Sequence, residues 1–127
     1  LLQASSPEGD APSPDQVARQ LDALFSPWFQ HFVNYDPAPA LEGVPCPVLA
    51  LNGARDLQVD PAQNLPAIEA ALQKGENPDY TIKELPELNH LFQHAETGAP
   101  SEYARIEETF APEALEVMAA WIRERVE

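Results

Sequence analysis

The chain has 127 residues, 44% of them hydrophobic, and carries a formal net charge of −14 from 21 acidic against 7 basic residues. That length suits one domain, and the acidic balance opposes phosphate backbones and anionic lipid surfaces, so neither nucleic acid nor a membrane is an expected partner. No stretch approaches the roughly 18 apolar residues of a membrane span, and with Cys46 as the single cysteine no internal disulfide can form.

Residues 1–12 mix Pro, Gly, Ser and acidic residues without a period and read as a loop or frayed end. The opening Leu1-Leu2-Gln3-Ala4, with no initiating Met or charged signal region, is what an internal start point would give. Ser13-Pro14 form an N-cap and first-turn pair. Behind them Val17, Leu21, Leu24 and Phe25 step along one helical face, as do Trp28, Phe29, Phe32 and Val33. Ser26-Pro27 separates the two sets, which predicts helices over 14–25 and 27–34. His31 lies among apolar neighbours and is expected to pack with one polar partner.

Asp36-Pro37-Ala38-Pro39 reads as an extended connector, because residues before prolines avoid the helical region. It leads into a strand at 47–52 that is apolar at nearly every position, as a central strand covered on both faces requires. Asn52-Gly53 then turns the chain and presents Asp56 on the next loop. Asp60-Pro61 caps a turn, Pro66 restricts the regular helix to about 65–74, and Gly75 is placed to end it. A second strand, 80–85, follows, and then the loop from Pro86 to His90. Glu96–Thr109 is polar and irregular. Pro112 opens a final helix with Leu115, Met118, Ile122 and Val126 on one face and Glu113 and Glu116 in its first turn. Ala111 stands where a serine would cap better.

The order helix, helix, strand, helix, strand, helix predicts an α/β fold with a parallel sheet and helices on both sides. Two parallel strands leave that sheet incomplete without further chain. The expected divisions are 1–12 as the loose end, 13–35 as the leading helices and 36–127 as the core segment.

A carboxylate on a loop after a strand can orient an imidazole and stabilise the imidazolium that forms in acyl transfer; that is the candidate role of Asp56. The plainer role is a loop aspartate satisfied by local N–H groups. Asp60 competes on the same loop, but its place before Pro61 favours capping. His90, 34 residues after Asp56 and just past the second strand, is the candidate general base. His90 and His94 stand four apart, a metal-ligand spacing on a helix. The intervening Leu91-Phe92-Gln93 lacks the glutamate of a zincin helix, so no metal site is expected. Glu107-Glu108 form a solvated acidic run or brace the loop of His90. None of the glycines 9, 43, 53, 75 and 98 lies two residues from a serine, so the G-x-S-x-G nucleophile elbow is missing from these residues.

The stretch from Pro45 to Val59, with Leu49-Ala50-Leu51-Asn52-Gly53-Ala54-Arg55-Asp56 at its centre, resembles the acid motif of the α/β-hydrolase superfamily in its bacterial carboxylesterase branch. Leu88-Asn89-His90-Leu91-Phe92-Gln93 is similar to the histidine motif of that branch, and Glu102-Tyr103 with Ile106-Glu107-Glu108-Thr109 to the segment that follows it. The likeness spans about residues 28–127; Asp60, where a proline often follows the valine, and Ala111 depart from the pattern. The resemblance implies the C-terminal part of an α/β-hydrolase sheet that supplies Asp56 as acid and His90 as base. The nucleophilic serine and oxyanion donors would come from the N-terminal part of the same protein, which is the implied partner. It implies hydrolysis of a small carboxylic ester through an acyl-serine, with no metal or organic cofactor, and an inactive fragment when this part stands alone. Helices 13–35 would then belong to a cap in which Trp28, Phe29 and Phe32 line an acyl pocket. The simpler expectation is that these aromatics are core contacts, since stripes at helical spacing usually pack. A peptidase or acyl-peptide hydrolase on the same fold, or a non-catalytic acidic interaction module, are the alternatives.

Overall fold

Ser13 and Ser26 each start a helix in the way their positions before proline suggest. In the structure, a computed structural model that describes residues 12–126, Ser13 Oγ accepts the Gln16 N–H at 3.3 Å and Gln16 Oε1 accepts the Ser13 N–H at 2.7 Å. This reciprocal pair satisfies two donors that a helix start leaves open, and it opens α1 (Pro14–Leu24). Ser26 Oγ accepts the Phe29 N–H at 3.2 Å and opens α2 (Pro27–Asn34). Of the expected loose end 1–12, all but Pro12 lies outside the described residues.

Neither helix contributes a buried residue. Phe29 is half-buried, but Trp28 and Phe32 are 71% and 63% exposed, so the expectation of core contacts is corrected for these two. They stack on each other instead, with ring centroids 5.5 Å apart. His31 is also exposed, its ring 5.6 Å from that of Tyr35, and is not a packed core residue. The chain divides between Pro37 and Ala38 into two compact units, two residues beyond the expected boundary. Among the described residues the two short helices have one apolar face each and no third layer in their own unit to cover both.

The second unit begins with α3 (Ala38–Glu42), where an extended connector was expected. Pro39 falls in the first turn, where a helix has no use for the missing N–H. Two parallel strands follow, β1 (Val48–Gly53) and β2 (Tyr80–Leu85), paired in register from Val48 opposite Tyr80 to Gly53 opposite Leu85. They establish the α/β class. Val48–Leu51 are only half-buried, short of the full cover expected for a central strand, because among the described residues β1 has β2 as its single strand neighbour.

The crossover is α4 (Pro61–Lys74), a full turn longer at its start than the 65–74 expected. Asp60 caps it, its carboxylate accepting the Ala62 N–H at 2.9 Å, and Pro61 sits in the first turn. A well-capped start plus burial of Pro61 and Leu65 outweighs the hydrogen bond that Pro66 cannot donate. A 3₁₀ turn, Pro100–Arg105, lies in the stretch expected to be irregular.

The last helix, α5 (Pro112–Val126), packs on a different face from the one expected. Of the expected stripe, Leu115, Ile122 and Val126 are exposed and Met118 is half-buried, and Ala114, Val117 and Trp121 face the sheet. The core cluster is Leu85, Leu88, Ala111 and Ala114, with Leu51, Phe92, Phe110 and Val117 around it. The small side chains of Ala111 and Ala114 let the helix start approach Leu88, and this close packing sets the buried face. It also accounts for alanine where a serine cap would suit the helix better. Further along α5, Trp121 Nε1 donates to Thr81 Oγ1 at 2.9 Å, and Arg125 lies 3.8 Å over the Trp121 ring while its guanidinium pairs with Asp79 at 2.8 and 2.6 Å.

Candidate active site

The loops after β1 and β2 are joined by their backbones. The Ala54 N–H donates to Leu85 O at 2.8 Å and the Arg55 N–H to Leu88 O at 2.9 Å. Gly53 makes this possible, since a Cβ there would overlap Leu88 O and lie 2.7 Å from Asn89 O. On the far side Gly98, at φ +78°, backs onto the Arg55 carbonyl, where a side chain would collide.

Asp56 is 7% exposed and accepts four hydrogen bonds. Oδ1 takes the N–H groups of Gln58 and Val59, both at 2.9 Å. Oδ2 takes Asn52 Nδ2 at 3.2 Å and His90 Nδ1 at 2.9 Å. Burial pushes the Asp56 carboxyl up, but the Val59 N–H, the His90 ring and the Gln58 N–H together outweigh it and hold the group below its ordinary value. An ionised Asp56 calls for a proton on His90 Nδ1, which leaves Nε2 of the neutral ring as the basic nitrogen.

His90 sits at the tip of a closed loop. Asn89, fully buried, accepts the Leu91 and Gln93 N–H groups at 2.9 and 3.0 Å through Oδ1 and donates to Gln93 Oε1 at 3.1 Å. Gln93 Nε2 reaches Glu108 O at 2.8 Å, and the Ala111 N–H donates to Phe92 O at 2.7 Å. An antiparallel bridge between Leu88 and His94 closes the base. The His90 side chain is 37% exposed, and its Nε2 has no hydrogen-bond partner among the described residues.

His94 does not share a helix face with His90, because residues 88–94 form this loop and no helix. Its ring lies between two carboxylates: Nδ1 is 3.0 Å from Glu108 and Nε2 is 2.7 Å from Glu113. The hydrogen bond with Glu108, aided by the charges of Glu113, Glu108 and Glu87, raises the His94 pKa against the opposing effect of desolvation. Glu108 also accepts the His94 N–H at 2.7 Å, so it does brace the loop that carries His90. Among the described residues no cluster of three or more His, Cys, Asp or Glu side chains is placed to hold a metal ion. Asp60 caps α4 and takes no part in the pair.

Three more residues tie the surrounding loops together. Glu102 accepts the Thr97 N–H and hydroxyl at 3.0 and 2.6 Å and the Gly98 N–H at 3.1 Å. Tyr103 accepts Gln58 Nε2 at 2.8 Å, linking the 3₁₀ turn to the acid loop. The Arg55 guanidinium donates to Ala95 O. A cleft of about 480 Å³ beside Arg55, His94, Glu102 and Arg105 includes neither Asp56 nor His90. Of the pair, it is the His90 ring that reaches solvent.

Sequence reasoning brought out Asp56 and His90 but missed Asn52, Asn64, Asn89 and Gln93. Their signal was a polar side chain beside or within an apolar run, since buried amides must find partners. Comparison with known proteins adds nothing to this geometry: the chain matches no family model, no curated protein and no solved structure.

Proposed function

We propose that this chain is the C-terminal part of a serine carboxylic-ester hydrolase of the α/β-hydrolase type, supplying acid and base to a serine carried on chain outside these residues. The observation that carries the reading is the 2.9 Å contact between a buried, four-fold hydrogen-bonded Asp56 and His90 Nδ1, at the ends of adjacent parallel strands. A base in that state presents Nε2 to a hydroxyl. His90 removes the serine proton as Oγ attacks the ester carbonyl, then delivers it to the departing alkoxide as the tetrahedral adduct collapses to the acyl-serine. A water activated by the same nitrogen attacks the acyl-serine, and the proton returns to serine Oγ with release of the acid. Asp56 keeps Nδ1 protonated and compensates the imidazolium charge throughout. Oxyanion donors and the nucleophile lie outside these residues, and no cofactor enters the scheme.

The test uses the polypeptide extended upstream to include a G-x-S-x-G segment. Expected results are hydrolysis of p-nitrophenyl esters, fluorophosphonate labelling of a serine in that segment, and loss of both in a folded His90→Ala variant. A folded protein that takes no label and cleaves no ester overturns the reading. The exposed Trp28–Phe32 stack is the one observation that favours a non-catalytic interaction module, and that inactive outcome would support it.

A further inference from the structure

Asp56 Oδ2 is shared: it accepts His90 Nδ1 at 2.9 Å and Asn52 Nδ2 at 3.2 Å. Asn52 is 4% exposed at the end of β1, and its Nδ2 also reaches Val59 O at 3.1 Å. Its Oδ1 accepts Asn64 Nδ2, from the first turns of α4, at 3.0 Å. A side-chain amide has two orientations of nearly equal shape, and they differ in which end is the donor. If the Asn52 amide turned over, Oδ1 would face Asp56 Oδ2 and Val59 O, acceptor against acceptor, and Nδ2 would face the Asn64 amide.

We propose that Asn64 and Asn52 are positioning residues for the Asp56–His90 pair, forming an ordered relay in which Asn64 fixes the Asn52 amide and Asn52 fixes Asp56 Oδ2 toward the His90 ring. The inference rests on the hydrolase reading for its catalytic meaning, though the hydrogen-bond order stands without it. Its physical content is twofold. The neutral donor of Asn52 draws electron density from Oδ2 and so limits how strongly Asp56 can stabilise an imidazolium at His90. The direction of that donor is set by α4 packing on β1, so the orientation of the acid is supported from outside the loop that bears it. The groups facing Asp56 among the described residues are Asn52, the N–H groups of Gln58 and Val59, and His90; His90 is the titratable one.

Asn64→Asp is the discriminating variant, because it keeps the shape and replaces a donor by an acceptor at a half-buried helix position. The Asn52 amide then turns to donate to the introduced carboxylate and offers an oxygen to Asp56. The expected result, read by nitrogen NMR titration of the His90 ring in the full-length protein, is a rise in its pKa on the order of half a unit. Asn52→Ala raises it comparably by removing the donor, and in the Asn52→Ala background Asn64→Asp adds nothing. In the active polypeptide the acid limb of the kcat/KM profile moves up by the same amount, with KM little changed. An equal shift from Asn64→Asp with and without the Asn52 amide would mean a through-space charge effect and overturn the relay, as would no shift in either single variant. The ring titration needs no turnover, so failure of the relay and failure of the hydrolase reading are separable. Retained ester hydrolysis without the coupled shifts sinks only the relay. Coupled shifts in a protein that cleaves no ester sink only the catalytic reading.

Discussion

Gly53 and Leu88 meet backbone to backbone, with no room between them for a Cβ, and this contact is what brings the acid loop and the histidine loop together. Gly53→Ala must push the loop of His90 away from β1. We expect a loss of about 1–3 kcal/mol of stability, typical of overpacking, measured by urea unfolding. If the proposed hydrolase reading holds, the displaced His90 should lose on the order of 10²-fold in turnover, since small misplacements of a reacting group are costly. Wild-type stability in Gly53→Ala would show that the loops have slack the structure does not have.

Removing the proposed base should be the most damaging change. For the proposed hydrolase, His90→Ala lowers kcat on the order of 10⁶-fold, while Asp56→Asn leaves a wrongly oriented or wrongly protonated ring and costs on the order of 10⁴-fold. The double variant should be no worse than His90→Ala, because the two act as one unit. Ester hydrolysis by the folded variants, with circular dichroism as the folding check, tests this ranking; near-normal turnover in His90→Ala ends the reading.

His94 bridges the histidine loop to Glu108 and to Glu113 at the start of α5, and its pH response has a definite sign. Its folded pKa is raised, chiefly by the hydrogen bond with Glu108, so its contribution to stability is complete below the ordinary histidine value of about 6.5 and is lost as pH rises through the raised folded value. Glu108 is held down, first by the His94 N–H, so its contribution is present above the ordinary carboxylate range and lost as pH falls through its lowered value. The pair therefore stabilises most in mildly acidic solution. The side chain is 49% exposed, so solvent screening keeps the effect small. The urea midpoint should fall between about pH 5.5 and pH 8, and His94→Gln should flatten that difference.

Pro66 lies on the exposed side of α4 and withholds an N–H from the helix interior. Pro66→Ala restores a donor toward Ala62 O at a helix-favouring residue, at the cost of a more flexible unfolded chain. Stabilisation of about 1–2 kcal/mol is expected, from a proline penalty of about 3 reduced by the entropy regained in the unfolded state. Thermal unfolding of the variant checks it, and a lowered midpoint would mean that the ring makes a contact worth more than the hydrogen bond.

Local chemistry alone determined the starts of α1 and α2 at Ser13-Pro14 and Ser26-Pro27, the cap at Asp60, and both strands to within a residue. Serine, aspartate and proline act on backbone groups within a few positions, and a strand of branched and apolar residues declares itself the same way. Asp56 and His90 were legible too, each as a polar residue just past a strand end, and the parallel pairing of β1 and β2 then put them 2.9 Å apart.

What tertiary structure decided was which of several equally periodic surfaces is covered. On α5 the stripe Leu115, Ile122 and Val126 has the bulk, yet Ala114, Val117 and Trp121 are packed, because alanine allows the helix to come within contact of Leu85 and Leu88. Trp28 and Phe32 carry helical spacing as good as any core stripe and remain exposed, because spacing states that a face is apolar and says nothing of what lies against it. The amides of Asn52, Asn64, Asn89 and Gln93 were likewise invisible as a network. A hydrogen bond between residues 12 apart in sequence, such as Asn64 to Asn52, exists only once α4 has folded back onto β1 and removed the water that would otherwise serve both.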